Sequence, residues 1–225
     1  MYNRRRQENY GVLLLVMQLL SFGYQNIPPV TLGTILLNVA IYLRLLNVPT
    51  ISNVCISASH VISNRDVKRL ILASLFHADD MHLYYNMISF LWKGKTLETI
   101  LGSVYFAYLL TVFSLLTSAT YVVLSHLLRL ITGNFSFDHT CAVGFSGIIF
   151  ALKVLTTEYT STDSIFVMGM IPVPSKYAMW AELILISFMV PEASFLGHLS
   201  GILVGLLYAK GPLRSLMNSL YFSFA

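Results

Sequence analysis

Apolar runs of membrane length constrain this sequence more than any other feature. The clearest run extends from Tyr105 to Leu128, and about 20 apolar residues are enough for a helix to cross the hydrocarbon core of a bilayer. Hydrophobic residues make up 56% of the 225 positions and charged residues only 11%, whereas roughly a quarter of the residues in a soluble domain are charged. The sequence therefore predicts an all-α integral membrane protein.

Six segments are predicted to span the membrane. They are Val30 to Leu46, the stretch beyond Asp79-Asp80 to Trp92 or a little further, Tyr105 to Leu128, Cys141 to about Tyr159, Lys176 to Val190 and Phe195 to Ala209. An earlier apolar run, Tyr10 to Phe22, is shorter than a bilayer core requires, and no signal-peptide cleavage site follows it. We interpret this run as a short interfacial helix, although the sequence alone leaves open whether it spans the membrane.

The spans divide the chain into three predicted regions. Residues 1–26 form an N-terminus with the interfacial helix, residues 27–210 a six-helix core, and residues 211–225 a short tail. Six spans place both termini on one side, where nine of the 14 Lys and Arg residues also fall, and this bias predicts cytosolic termini. The sequon at Asn134 falls on the opposite side, as is typical of a lumenal loop. Whether Asn134 is glycosylated is left open.

The net charge of +4 does not indicate a nucleic-acid partner. The basic residues are scattered or flank apolar runs, which is typical of topology signals and not of phosphate contacts. Cys55 and Cys141 lack CxxC spacing, so we predict neither a metal site nor a redox motif, and no cofactor is expected. Whether the two cysteines form a disulfide is left open by the sequence.

A serine and a histidine in different spans suggest a nucleophile and its base. Ser146 lies in the motif GFSG, in the first turn of the fourth span, where free N–H groups and the helix dipole favour an oxyanion. His198 begins the sixth span, with Gly201 and Gly205 on nearly the same face. Both residues enter from one membrane side, so their depths match. Small residues also pack helices in membranes, but a histidine at membrane depth favours a functional site.

The second span adds polar side chains at a similar depth. His82 and Asn86 are four residues apart and therefore share a helix face, and both can donate hydrogen bonds to a developing oxyanion. His77, just outside this helix, is expected to line a route for water. Each residue alone is more often structural, but their joint arrangement favours an active site.

The sequence lacks the residues that other classes of hydrolase would need. The chain has no HExxH motif for zinc and no pair of acids inside its spans. Lys153 lies about 10 Å along the helix from Ser146, so a Ser-Lys pair is disfavoured, and we expect its amine to extend to the cytosolic surface. The α/β-hydrolase motif would need glycine in place of Ile148. Glu182, in the fifth span, is expected to form a structural hydrogen bond.

The fifth span is the predicted entry gate for substrate. It is short and ends at Pro191, and the bulk of Trp180, Phe188 and Met189 is expected to plug the gap beside the active site. If opening limits the rate, Phe188→Ala should speed cleavage.

Taken together, the motifs resemble those of the rhomboid intramembrane serine proteases over roughly residues 28–211. The matches are GxSG at 144–147, HxxGxxxG at 198–205, HxxxxHxxxN at 77–86, and Leu97-Glu98 followed by Leu101-Gly102. The resemblance implies a six-helix rhomboid bundle. It also implies that Ser146 is the nucleophile, that His198 is the general base, and that His82 and Asn86 join the Ser146 amide in an oxyanion hole. Arg69 matches the Trp-Arg pair of the family's first loop, but Lys68 stands in place of the tryptophan.

The resemblance further implies a location and partners. Residues 27–31, 77–80 and 141–147 are similar to rhomboids of the endoplasmic reticulum, which implies transmembrane protein substrates and a role with the degradation machinery of that membrane. One alternative is a non-catalytic rhomboid-like binder, but such proteins lack the serine or the histidine. Another is a transporter, which would be expected to show broken helices or repeated halves. Substrate identity, cleavage preference and oligomeric state are left open.

Overall fold

A computed structural model describes residues 9–160, 162–167 and 171–224, and most of these are helical. The helices are α1 (Tyr10–Phe22), α2 (Pro29–Tyr42), α3 (Ile51–Val54), α4 (Arg69–Leu72), α5 (Asp80–Leu101), α6 (Ser103–Thr132), α7 (Ser136–His139), α8 (Ser146–Tyr159), α9 (Ala178–Met189), α10 (Phe195–Lys210) and α11 (Leu213–Phe224), and the strands are β1 (Ser164–Val167) and β2 (Ile171–Pro174). Three arginines used to predict the topology, Arg4, Arg5 and Arg6, lie outside the described residues.

The two longest helices, α5 and α6, form a helical hairpin. Asp79 caps α5 by accepting a hydrogen bond from the amide of His82 at 2.7 Å. Gly102, at a φ of +79°, ends α5 because glycine adopts positive φ without a steric penalty. The 30 residues of α6 reach about 45 Å. Among the described helices, α6 alone is both long and apolar enough to cross a membrane by itself.

Several predicted boundaries differ from the structure. α5 continues beyond Trp92 to Leu101, because the Lys93 amine is accommodated by the hydroxyl of Ser89 at 2.7 Å. α2 ends at Tyr42, short of Leu46. α8 begins at Ser146, later than expected, because the residues before it pair with another segment in extended conformation.

Glu98 in α5 fixes the start of α2. Its buried carboxylate accepts hydrogen bonds from the amides of Val30 and Thr31, at 2.9 and 2.7 Å, and from the Thr31 hydroxyl at 2.7 Å. The carboxylate thus satisfies N–H groups that lack partners within the helix. Because this contact joins the start of α2 to the end of α5, the two helices run antiparallel.

The first helix, α1, packs along α5 in a parallel direction. At one end, the amide of Gly11 donates a hydrogen bond to the carboxylate of Asp80 at 2.7 Å. At the other end, Phe22 packs edge-on against Trp92, with ring centroids 5.1 Å apart. An interfacial helix needs a polar face, but the exposed side of α1 is mostly apolar: Leu13, Leu14, Val16, Met17 and Leu20. α1 thus packs along α5, a contact that an apolar run does not reveal, and its placement at the membrane interface stays a prediction.

The direction of α1 also bears on the predicted termini. α1 begins beside Asp80, at the end of the bundle where α5 starts. α10 ends near the opposite end, where the hydroxyl of Tyr208 lies 3.2 Å from that of Tyr105 at the start of α6. α1 thus begins and α10 finishes at opposite ends of the bundle, and the side of the membrane on which each terminus lies stays a prediction.

Two further elements were not predicted. The strands β1 and β2 form an antiparallel hairpin between α8 and α9, so the fold is mostly helical and not all-α. β-branched residues such as Ile165 and Val173 suit strands, but four-residue strands are too short to show a clear period. In the tail, α11 packs Leu213 and Met217 against the bundle.

Candidate active site

The segment before Ser146 is held in place by its backbone. Gly144 has a φ of +123°, which residues with a Cβ rarely adopt, and its amide donates to the carbonyl of Ala73 at 3.0 Å. Ala142 pairs with Ile56 through two backbone hydrogen bonds of 2.8 and 2.9 Å. Ser146 then begins α8, where the backbone N–H groups have no acceptor within the helix. An anionic oxygen near Ser146 would find donors there.

His198 of α10 lies next to this serine. Its Nε2 is 3.0 Å from the Ser146 Oγ, and the residue is buried at 4% exposure. The imidazole stacks on Phe150, with ring centroids 4.5 Å apart and 25° between the planes. Within the described part of the chain, no group bonds to Nδ1, so packing on Phe150 orients this ring in place of a carboxylate.

Glycines bring α8 and α10 close enough for this contact. A Cβ on Gly201 would collide with the carbonyl of Gly147, and a Cβ on Gly205 would lie 2.8 Å from the carbonyl oxygen of Ala151. Backbone thus meets backbone along the interface, as is common where small residues pack membrane helices. Since the helices run in the same direction, the first turn of one lies beside the first turn of the other.

His82 contributes a donor from α5. Its Nδ1 accepts the Ala78 amide hydrogen at 3.4 Å, which places the ring proton on Nε2. A Cβ built on Gly144 would lie 2.8 Å from that Nε2, so the imidazole lies directly against the backbone leading into Ser146. Glycine at position 144 leaves the space that the ring needs.

Asn86 lies one turn along α5 from His82 and is buried. Its Nδ2 donates one hydrogen to the His82 carbonyl at 2.8 Å, and an amide nitrogen carries a second hydrogen. His77 packs edge-on against His82, with centroids 5.1 Å apart, and is 2% exposed. Burial lowers the pKa of His77 well below its ordinary value. His77 therefore lies as a neutral ring behind His82, and not on an open water route as expected.

Comparison with known proteins identifies the family. The Rhomboid domain model matches residues 64–214. The chain is 46% identical to Rhomboid-related protein 4 of Mus musculus and 45% identical to that of Homo sapiens, in each case over 97% of this chain and 69% of the relative. It is 42% identical to Rhomboid-like protein 14, mitochondrial, of Arabidopsis thaliana, over 93% of this chain and 64% of that protein. The chain belongs to the rhomboid family. Members of this family are membrane proteins, generally serine proteases, and some are inactive.

In this rhomboid, a disulfide bond joins Cys55 to Cys141. It links the loop between α2 and α5 to the segment that leads into Ser146, beside the backbone pairing of Ile56 with Ala142. The sequence left this pairing open, because two cysteines 86 residues apart carry no spacing signal. The tertiary structure brings the two cysteines together, and their bond fastens the segment that leads into Ser146.

Arg69 supports the same loop from inside the protein. Its guanidinium donates to the carbonyls of Cys55 and Ser52, at 2.6 and 3.2 Å, and to the Asp66 carboxylate at 2.8 Å. The hydrogen bond from Arg69 lowers the pKa of Asp66 below its ordinary value. The arginine therefore anchors the loop from inside, while the exposed Lys68, at the position of the family's tryptophan, lies with its amine 3.6 Å from the same Asp66 carboxylate.

Lys153 and Glu182 differ from their predicted positions. The expected surface lysine is instead 7% exposed, and its amine pairs with the carboxylate of Glu182 across α8 and α9. The structural hydrogen bond predicted for Glu182 is thus an ion pair with Lys153. Sequence reasoning missed the pair because its members lie 29 residues apart on different helices.

Phe188 does not plug a gap. It is 81% exposed, the most of any large apolar residue described, because the last turn of α9 directs it away from the bundle. By contrast, Leu183 on the same helix is buried. The side chain that was expected to close the active site is therefore not packed against it.

A small cavity adjoins Ser146. Its volume is about 50 Å³, and its wall includes Ser146 and the polar side chains of Ser74, Thr117, Ser118 and Ser194. A polar cavity of this size has room for water. Water can therefore approach Ser146 from within the bundle.

Proposed function

We propose that this rhomboid is a serine endopeptidase that hydrolyses peptide bonds in or near the transmembrane segments of membrane proteins. The observation that carries this proposal is the 3.0 Å contact between Ser146 Oγ and His198 Nε2, within hydrogen-bond reach of a nucleophile and its base. The family supports it as well, since rhomboids act on membrane proteins within the bilayer.

The reaction would proceed in two halves. His198 Nε2 takes the Ser146 proton as Oγ bonds to the scissile carbonyl carbon, and the imidazolium then protonates the leaving amine. Water attacks the acyl-enzyme with His198 again as base, and the cavity beside Ser146 offers a site for that water. The backbone amide of Ser146, the Nε2–H of His82 and the free Nδ2 hydrogen of Asn86 would stabilise the oxyanion.

Substrate would reach Ser146 sideways from the lipid, past α9. This helix packs less tightly than α8 or α10, with Ile184 and Met189 exposed along its outer part. Its movement, and not the size of Phe188 alone, would then admit a substrate helix.

We propose that the end of the bundle with Ser146 faces the lumen of the endoplasmic reticulum and that α11 faces the cytosol. The disulfide supports this orientation, since disulfides persist in oxidising compartments. Because α1 runs parallel to α5, Asn9 would then lie at the lumenal end of the bundle. The proposed core is accordingly residues 10–210, with 211–225 cytosolic. Single cysteines at Asn9 and Ser219 should be labelled from opposite sides, and labelling of both from the cytosol would contradict this topology.

The compartment and the biological role rest on the resemblance to rhomboids of the endoplasmic reticulum. We propose action with the degradation machinery of that membrane on transmembrane proteins. The name of the Arabidopsis relative specifies mitochondria, so microscopy of the tagged protein with markers for both compartments is the direct test. Colocalisation with a mitochondrial marker would overturn the location.

Labelling with a fluorophosphonate tests the activity itself. The purified protein should react at Ser146 and cleave a transmembrane substrate in liposomes, and Ser146→Ala should lose both properties. Ser200→Ala is the matched control, since the hydroxyl of this buried serine already donates to the Leu196 carbonyl at 2.6 Å. Absence of labelling in the folded wild type would instead favour a non-catalytic binder.

A further inference from the structure

The helix α9 is held firmly at one end only. Its first turns bury Ala178, Met179 and Leu183, whereas Phe188 and Met189 in the last turn are exposed. The 3-10 turn before α9 (Ser175–Tyr177) is also fastened, since the Ser175 hydroxyl donates to the carbonyl of Thr162. The loosely packed end is the one that leads, through Ser194, to His198. The active-site end of α9 is thus the end with fewer restraints.

One ion pair marks the boundary between these two parts. Lys153 lies seven residues after Ser146 in α8, so it is on nearly the same helix face, about two turns away. Its amine pairs with Glu182, and their side chains are 9% and 13% exposed.

A buried ion pair defines position more than it adds stability. Removing one partner leaves a charge buried without compensation, which is worse than removing both. At the level of Glu182, α9 therefore cannot leave α8 without separating the two charges. Beyond that level, fewer apolar contacts oppose movement of the last turns.

We propose that the Lys153–Glu182 pair is the pivot of α9: it holds the base of this helix against the helix of the nucleophile while the far end swings to admit a substrate helix. The inference rests on the proposed proteolytic function and adds a positioning role to it. Neither residue touches the reacting atoms. The pair fixes the point along α9 at which this helix separates from α8. It thereby sets how far the gap between the two helices extends from Ser146 toward Lys153.

The pivot can be tested by comparing two readouts of one protein. Glu182→Gln and Lys153→Met should each lower kcat/KM for a transmembrane substrate in liposomes by about tenfold or more. Fluorophosphonate labelling of Ser146 should change less than about twofold. A small probe can reach Ser146 without the movement of α9 that a transmembrane substrate helix requires. Glu192→Gln, which removes an exposed carboxylate just after α9, is the matched control and should behave like wild type.

Rescue separates a pivot from general damage. The exchanged pair Lys153→Glu with Glu182→Lys should recover most of the cleavage lost by either single change, and Glu182→Asp should be milder than Glu182→Gln. Equal loss of labelling and cleavage in the single variants would overturn the pivot. It would also be overturned if the loss of cleavage in the exchanged pair were the sum of the losses in Lys153→Glu and Glu182→Lys alone. Wild-type cleavage in Glu182→Gln would overturn it as well. If wild type itself neither labels nor cleaves, the proposed function fails and not the pivot alone.

Discussion

The interface of α8 with α10 and the packing of α9 differ in what fixes them. Between α8 and α10, Gly201 and Gly205 bring backbone against backbone, with no room for a Cβ. α9 is held by a few apolar side chains and the Lys153–Glu182 pair, and its last turn is exposed. A catalytic pair needs a fixed distance, whereas a substrate helix needs a gap that opens. In the proposed mechanism, the α8–α10 interface would keep the catalytic distance fixed, whereas the neighbouring α9 would move to give access to substrate.

The largest effect is expected at the catalytic pair itself. Ser146→Ala and His198→Ala should each abolish turnover, because each removes a reacting group from the α8–α10 interface. The double variant should be no worse than either single one, since residues that act as a unit are not additive. Rates of cleavage by purified protein in liposomes would check this. Cleavage by Ser146→Ala above background would remove Ser146 as the nucleophile.

Loss of an oxyanion donor should be severe but incomplete. His82→Ala or Asn86→Ala should lower kcat by about 10 to 1,000-fold, because the Ser146 amide remains. Both variants should still react with fluorophosphonate, at a reduced rate. His60→Ala, a histidine in the loop before α4 that bonds to Ser57 at 2.7 Å, is the matched control. Wild-type rates in His82→Ala would show that α5 only supports the catalytic pair.

A methyl group at Gly201 should test how tightly α8 and α10 are fixed. Gly201→Ala places a Cβ against the Gly147 carbonyl, and overpacking of this kind costs about 1–3 kcal/mol. Cleavage should fall by about tenfold as the Ser146–His198 distance grows. Thermal unfolding in detergent measures the stability.

Gly33→Ala provides the control, since nothing lies within 4 Å of a Cβ built at that position. This change should be neutral or slightly stabilising, because alanine favours a helix by up to about 1 kcal/mol over glycine. Equal behaviour of the two glycine variants would contradict a tight α8–α10 interface.

Reduction of the Cys55–Cys141 disulfide should have a moderate effect. Loss of a disulfide that closes a long loop typically costs about 2–4 kcal/mol of unfolding free energy, and the segment entering Ser146 would lose one of its anchors. Cys55→Ser with Cys141→Ser should lower the melting temperature, and a reductant should change the wild type but not the double variant. An unchanged melting temperature would show that Arg69 and the backbone pairing suffice.

The smallest effect is expected at the exposed end of α9. Because Phe188 is 81% exposed, Phe188→Ala should alter cleavage by less than about twofold, in contrast to the acceleration expected from the sequence. Leu183→Ala, at a buried position of the same helix, should have a larger effect by loosening α9. A marked acceleration by Phe188→Ala would mean that this side chain closes the gap in the membrane.

The sequence predicted local features well. Helix starts at Pro29, Asp80 and Phe195 follow from capping residues and apolar runs, and the matched depths of Ser146 and His198 follow from where their segments begin. The family also followed from the sequence, because several short motifs stand in a fixed order. These features depend on residues near one another in the chain, which is why pattern and spacing reveal them.

Only the tertiary structure decided the contacts between distant segments. The packing of α1 along α5, the Cys55–Cys141 bond and the Lys153–Glu182 pair each join residues from separate parts of the chain. An apolar residue facing lipid and one facing another helix look alike in the sequence, because both surroundings are apolar. A buried charge likewise resembles a surface charge until its partner is placed. The sequence therefore determined which residues are candidates for the chemistry, and packing decided which of them lie in contact.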